Sequence, residues 1–150
     1  MNKLILIFFL TSFIGNLSAQ PTQETTDYVN YLNNMLKIEY KALDKNFTEI
    51  DEFNRPYAKC LDNCKNDEVT YLLHGFMGTP YEMRYISESA LKKGHTVFND
   101  LIFGYGHDSL LTNKVKKEMY VKNVENNLFF LFKHYKKVNL VGFSTGGLLI

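Results

Sequence analysis

The sequence predicts an α/β fold built on a parallel sheet. Three short apolar runs, residues 69–73, 95–98 and 138–141, alternate with stretches of helical periodicity. The first run leads into His74-Gly75 and the last into Gly142-Phe143-Ser144-Thr145-Gly146-Gly147, so two glycine-bearing turns follow strand-like segments.

The elements follow in chain order. Tyr28, Leu32, Met35, Leu36 and Leu43 recur at near-helical spacing, which predicts an amphipathic helix over 27–44 that packs on the main domain. Residues 47–67 lack clean periodicity and contain Pro56 and both cysteines, so a loop-rich approach with one short strand is expected there. The run at 69–73 reads as a buried strand. Thr79-Pro80-Tyr81-Glu82 has the layout of a capping box, with Thr79 as N-cap, Pro80 in the first helical position and Glu82 reaching back. The helix it opens is expected to reach Lys93, with Gly94 ending it. A strand at 95–98 and a glycine-rich loop, Gly104-Tyr105-Gly106-His107, come next. A further helix carries Val115, Met119, Val124, Leu128, Leu131 and Tyr135 on one face. The strand at 138–141 then enters the serine turn, and a third helix begins at Gly146.

The serine turn carries the chemistry. A serine hydroxyl is a weak nucleophile and must be exposed, oriented and deprotonated as it attacks. A tight strand-to-helix turn exposes it but crowds the backbone, and glycine at 142 and 146 removes the side chains that would clash. The same turn leaves the Thr145 amide at a helix N-terminus, where a developing negative charge is stabilised. The loop after His74-Gly75 can aim the Phe76 amide at the same charge. His74 is expected to fix that loop by hydrogen bonding and not to act as the general base. Phe76, Met77 and Phe143 would give the serine an apolar surround, a lean towards acyl esters.

These residues resemble the α/β-hydrolase superfamily, and within it the small carboxylesterases and monoglyceride lipases. The resemblance rests on His74-Gly75-Phe76-x-Gly78, the Gly104 to His107 turn, and Gly142-x-Ser144-x-Gly146. It implies a serine hydrolase acting on carboxylic esters, with Ser144 as nucleophile, the amides of Phe76 and Thr145 as oxyanion hole, and no metal or organic cofactor. The Gly104 to His107 turn looks like a structural loop of that family, which removes His107 as a base. In this superfamily the acid and the histidine follow the serine. All four histidines of the chain (His74, His95, His107 and His134) precede Ser144, and no acid follows it. The resemblance therefore implies that residues 69–150 form the N-terminal half of a hydrolase domain, truncated after the nucleophile turn. The missing triad members are expected beyond residue 150, and the 150 residues alone are expected to be inactive. The alternative is a non-catalytic exported remnant or binding module of the same fold.

The N-terminus predicts export. Lys3 precedes an almost purely apolar stretch over 4–14, and Leu17-Ser18-Ala19 offers a cleavage site, so residues 1–19 read as a secretory signal peptide. The stretch is shorter than the roughly 20 apolar residues a membrane-spanning helix needs, so no stable span is expected after cleavage. Residues 20–68 form the lead-in to the domain. In an oxidising compartment Cys60 and Cys64 are expected to close a local disulfide, with free thiols as the alternative; no second Cys or His pair lies near to complete a metal site. Formal net charge is +1 with no basic stripe, which argues against a nucleic-acid partner.

Overall fold

The computed structural model describes residues 21–61, 64–107 and 113–150. The expected signal peptide at 1–19 lies outside the described residues.

The first helix, α1, spans Gln23–Leu43. It starts four residues earlier than its apolar periodicity suggests because Thr22 caps it: the Thr22 hydroxyl oxygen accepts from the Thr25 amide at 3.3 Å. A 3₁₀ turn at Glu52–Asn54 leads to strand β1, Tyr57–Lys59. Strand β2, Lys65–Leu73, is followed by a second 3₁₀ turn at Pro80–Met83 and helix α2, Arg84–Lys92. Strand β3, His95–Asp100, helix α3, Lys117–His134, strand β4, Lys137–Gly142, and the short helix α4, Thr145–Leu149, complete the chain.

The strands form one sheet in the order β1-β3-β2-β4. Strands β3, β2 and β4 run parallel, and β1 pairs antiparallel to β3. Strand β2 is longer than its apolar run because the Lys65 amide bonds to Gly94 O at 2.9 Å, and an irregularity between Lys65 and Val69 restores register. Across the β2–β4 pair, Glu68 stands opposite Lys137 and forms an ion pair with it.

Alternation along β2 divides the core. Val69, Tyr71 and Leu73 join Phe98 of β3 on the face covered by α1 and α3, whereas Leu72 joins Val97 and the α2 residues Ala90 and Leu91 on the other. From α1, Val29, Leu32, Leu36 and Tyr40 are buried in the first of these clusters. A fully buried Val or Leu contributes about 1.5–3 kcal/mol. Helix α1 is therefore part of the domain core and not an appended arm. Cys60 and Cys64 form a disulfide, their Cα atoms 5.8 Å apart. No helix among the described residues is long and apolar enough to cross a membrane.

A polar network lies inside the first cluster. Asp100, at the end of β3, accepts from the Tyr71 hydroxyl at 2.5 Å, from Asn127 Nδ2 at 2.6 Å and from the Leu101 amide at 2.8 Å. The Tyr28 hydroxyl donates in turn to Asn127 Oδ1 at 2.8 Å. Burial pushes the Asp100 carboxyl up to about 6, in spite of its three donors. Tyr71→Phe removes one donor from this buried carboxylate and is expected to lower stability by about 2 kcal/mol at pH 8, read from urea unfolding.

Candidate active site

The two turns read from the sequence meet at one end of the sheet. Leu73 and Gly142 are paired at the C-terminal ends of the parallel strands β2 and β4, and the Phe143 amide donates to Leu73 O at 3.0 Å. His74-Gly75 and Phe143-Ser144 therefore leave the sheet side by side, where ligand sites of open parallel sheets lie.

Ser144 sits between β4 and α4 with φ 50° and ψ −115°, in the left-handed half of backbone space that a side chain disfavours. It is exposed, and its hydroxyl does not cap α4. The glycines explain how the turn closes. A Cβ on Gly146 would meet the carbonyl oxygen of Leu73 and would stand 2.5 Å from that of His74; a Cβ on Gly142 would meet the backbone of Gly146 and Gly147. Here helix α4 and the end of β2 touch backbone to backbone.

Opposite the serine, the loop after β2 is a closed turn. The Gly78 amide donates to Gly75 O at 3.1 Å, with Met77 at φ 56° inside the turn. The same Gly75 oxygen is 2.8 Å from His74 Nδ1. His74 Nε2 accepts from the Ile102 amide at 3.0 Å, so the imidazole proton resides on Nδ1 and is donated to Gly75 O. Two donors thus fix the plane of the Gly75–Phe76 peptide. In a trans peptide the N–H points opposite to the C=O, so the Phe76 amide faces away from both of them. Among the described residues neither the Phe76 nor the Thr145 amide has an acceptor. Phe76 is 68% and Phe143 55% exposed, and the Phe143 ring lies over Gly75.

His74 is thereby a loop-fixing residue, as its sequence context suggests. Burial lowers its pKa from 6.5 to about 4. The folded chain refuses a proton that the unfolded chain accepts, so the stability this group contributes is complete above pH 6.5 and is lost as pH falls towards 4, by roughly 3 kcal/mol. Asp100 works in the opposite sense, since its raised value favours the folded state at low pH. Comparing wild type with His74→Gln at each pH removes the Asp100 contribution. The stability advantage of wild type is expected to shrink from pH 7 to pH 4.5 in urea titrations.

The other histidines are engaged elsewhere. His95 Nδ1 lies 2.8 Å from the Thr70 hydroxyl, and His134 Nδ1 lies 2.8 Å from Glu24 Oε2 with its ring stacked on Phe130. His107 meets the Phe47 ring edge-on at 4.9 Å. Among the described residues no hydrogen bond joins a histidine to Ser144.

The capping box expected at Thr79 is not formed. Thr79 makes no side-chain cap, and its hydroxyl donates to Asn54 Oδ1 at 2.8 Å. Glu82 reaches past Thr79 to accept from the Gly75 amide at 2.9 Å. The opening turn is 3₁₀ and not α-helical, so the carboxylate is placed to serve the preceding loop. Sequence reasoning missed this contact, and nothing in the local spacing signals it.

No family model matches the chain. Over 78 residues, 52% of its length, it is 32% identical to the thermostable monoacylglycerol lipase of Bacillus sp. (strain H-257). A solved structure from work on LipS and LipT, two metagenome-derived lipolytic enzymes, superposes over 67% of this chain with a TM-score of 0.59 and 20% identity. The fold is that of the α/β-hydrolases. The chain spans 31% of the length of the curated relative and 40% of the solved chain. The described residues supply a four-stranded sheet, its glycine-flanked serine turn and the loop beside it.

Proposed function

We propose that the protein is a carboxylic ester hydrolase in which Ser144 is the nucleophile. The observation that carries the reading is the pairing of a strained, exposed Ser144 with two unclaimed amides, Phe76 and Thr145, on adjoining turns at the end of the sheet. Ser144 Oγ attacks the acyl carbon and gives up its proton to a base. The carbonyl oxygen becomes an oxyanion held by the two amides, each of which contributes about 3–4 kcal/mol in comparable sites. Collapse expels the alcohol, which takes up the proton, and water then releases the acyl group by the same route. In the order of the fold, Ser, acid, His, the acid partner and the base follow the serine. The name of the lipase relative points to glycerol monoesters as substrates, and the exposed Phe76, Met77 and Phe143 offer apolar contact for an acyl chain. The signal-like segment at 1–19 and the Cys60–Cys64 disulfide support export as the setting.

The protein purified from its source cells is expected to hydrolyse monoacylglycerols and short-chain nitrophenyl esters. A folded preparation that turns over neither contradicts the enzymatic reading and leaves the non-catalytic module in its place.

A further inference from the structure

We infer that Glu82 is a positioning residue for the Phe76 amide, a role that rests on the reading of Ser144 as nucleophile. Gly75 is buried, so its amide needs an acceptor inside the loop, and the Glu82 carboxylate supplies it at 2.9 Å. The oxygen of the same residue is held by His74 and by the Gly78 amide. Gly75 is thereby clasped on both its N–H and its C=O, which leaves the Phe76 amide as the group its C-terminal peptide presents. Without Glu82, the Gly75–Phe76 unit can rock about the two bonds to Gly75 O, and the Phe76 N–H swings with it.

The clasp is built into the sequence at two places. The Glu82 amide donates to Thr79 O at 2.9 Å, which turns the chain back on itself and brings the carboxylate under the loop. Gly78 leaves the room that the carboxylate fills, since a Cβ there would collide with Glu82 Oε2. A carboxylate beside a site that must hold an oxyanion is electrostatically unfavourable. Its presence there is explained by the buried donor it satisfies. A side chain one carbon shorter cannot span the same turn, and a glutamine can, because its amide oxygen accepts equally well.

The test uses the full chain and two readouts. In the first, the Gly75 amide is followed by NMR; its resonance is expected to shift and its hydrogen exchange to quicken in Glu82→Ala, and both to stay close to wild type in Glu82→Gln. In the second, the rate of Ser144 modification by a fluorophosphonate is compared between variants of confirmed fold. Glu82→Ala and Gly78→Ala are expected to slow the reaction by roughly 10- to 100-fold, as a misplaced group of about 1 Å does. Glu82→Gln is expected to restore most of the rate and Glu82→Asp is not. Gly78→Ala leaves Glu82 chemically intact but also brings a Cβ to 3.2 Å from Gly75 O, so it is the rescue by Glu82→Gln that ties the loss to the carboxylate contact. Wild-type rates in both alanine variants, or a Gly75 amide indifferent to Glu82, overturn the role. An unreactive wild type instead overturns the Ser144 reading itself, and is seen before any variant is made.

Discussion

Ser144→Gly is expected to abolish ester hydrolysis while making the protein more stable. At φ 50° and ψ −115° the serine occupies backbone space that costs a residue with a Cβ about 1–3 kcal/mol. Glycine adopts it freely, although the added freedom of the unfolded chain returns about 0.4–1 kcal/mol. The side chain is exposed and caps nothing, so little contact is lost with it. The balance is a gain of about 1 kcal/mol, visible as a higher urea midpoint. Turnover falls by roughly a thousandfold or more, since an oxyanion hole without a nucleophile retains only residual catalysis. Ser144→Ala separates the two effects: it removes the hydroxyl, keeps the strain, and is expected to be inactive at wild-type stability. Such a pair of results would identify strain held in place for function, because only the glycine variant releases it.

Gly146→Ala is expected to be strongly destabilising, as is Gly142→Ala, whose Cβ would meet the backbone of Gly146 and Gly147. At Gly146 the methyl group would stand against the carbonyl oxygens of Leu73 and His74, and no flexible side chain is present to yield. Helix α4 would have to move off the end of β2, breaking the close approach that sets the serine beside the His74 loop. The expected loss is at least about 3 kcal/mol, the upper end of what overpacking costs. Gly147→Ala is the control, one residue further along the same helix. Its Cβ would lie 3.2 Å from Gly142 O, a contact that a shift of a few tenths of an ångström relieves. Equal stability of the two variants, measured by thermal or urea unfolding, would contradict the packing described for the turn.

The strands of the sheet's centre were legible because parallel strands buried on both faces are nearly continuous apolar runs, as Val69 to Leu73 is. The serine turn was legible because steric crowding leaves few residues besides glycine at 142 and 146. A short strand is expected within 47–67 and β1 lies there, but its exact place is not legible because three residues with no apolar run carry no period to read. The start of α1 escaped because its signal is the Thr22 cap, which precedes the first apolar position. Glu82 misleads a local reading since capping rules look three residues back, whereas its acceptor role reaches back to Gly75 across a turn. Asp100 drew no notice: a lone acid at the end of an apolar run reads as a strand terminator. Its burial is set by Tyr71 and Asn127, 29 and 27 residues away. Contacts of that span are settled by the fold, not by local spacing.

The most direct test of the central claim is to treat the protein from its source cells with a fluorophosphonate and map the adduct by peptide mass spectrometry. The account predicts a single phosphonylated residue, Ser144, and no adduct after heat denaturation before labelling. A folded protein that hydrolyses esters yet carries the adduct at another residue, or none at all, would contradict it.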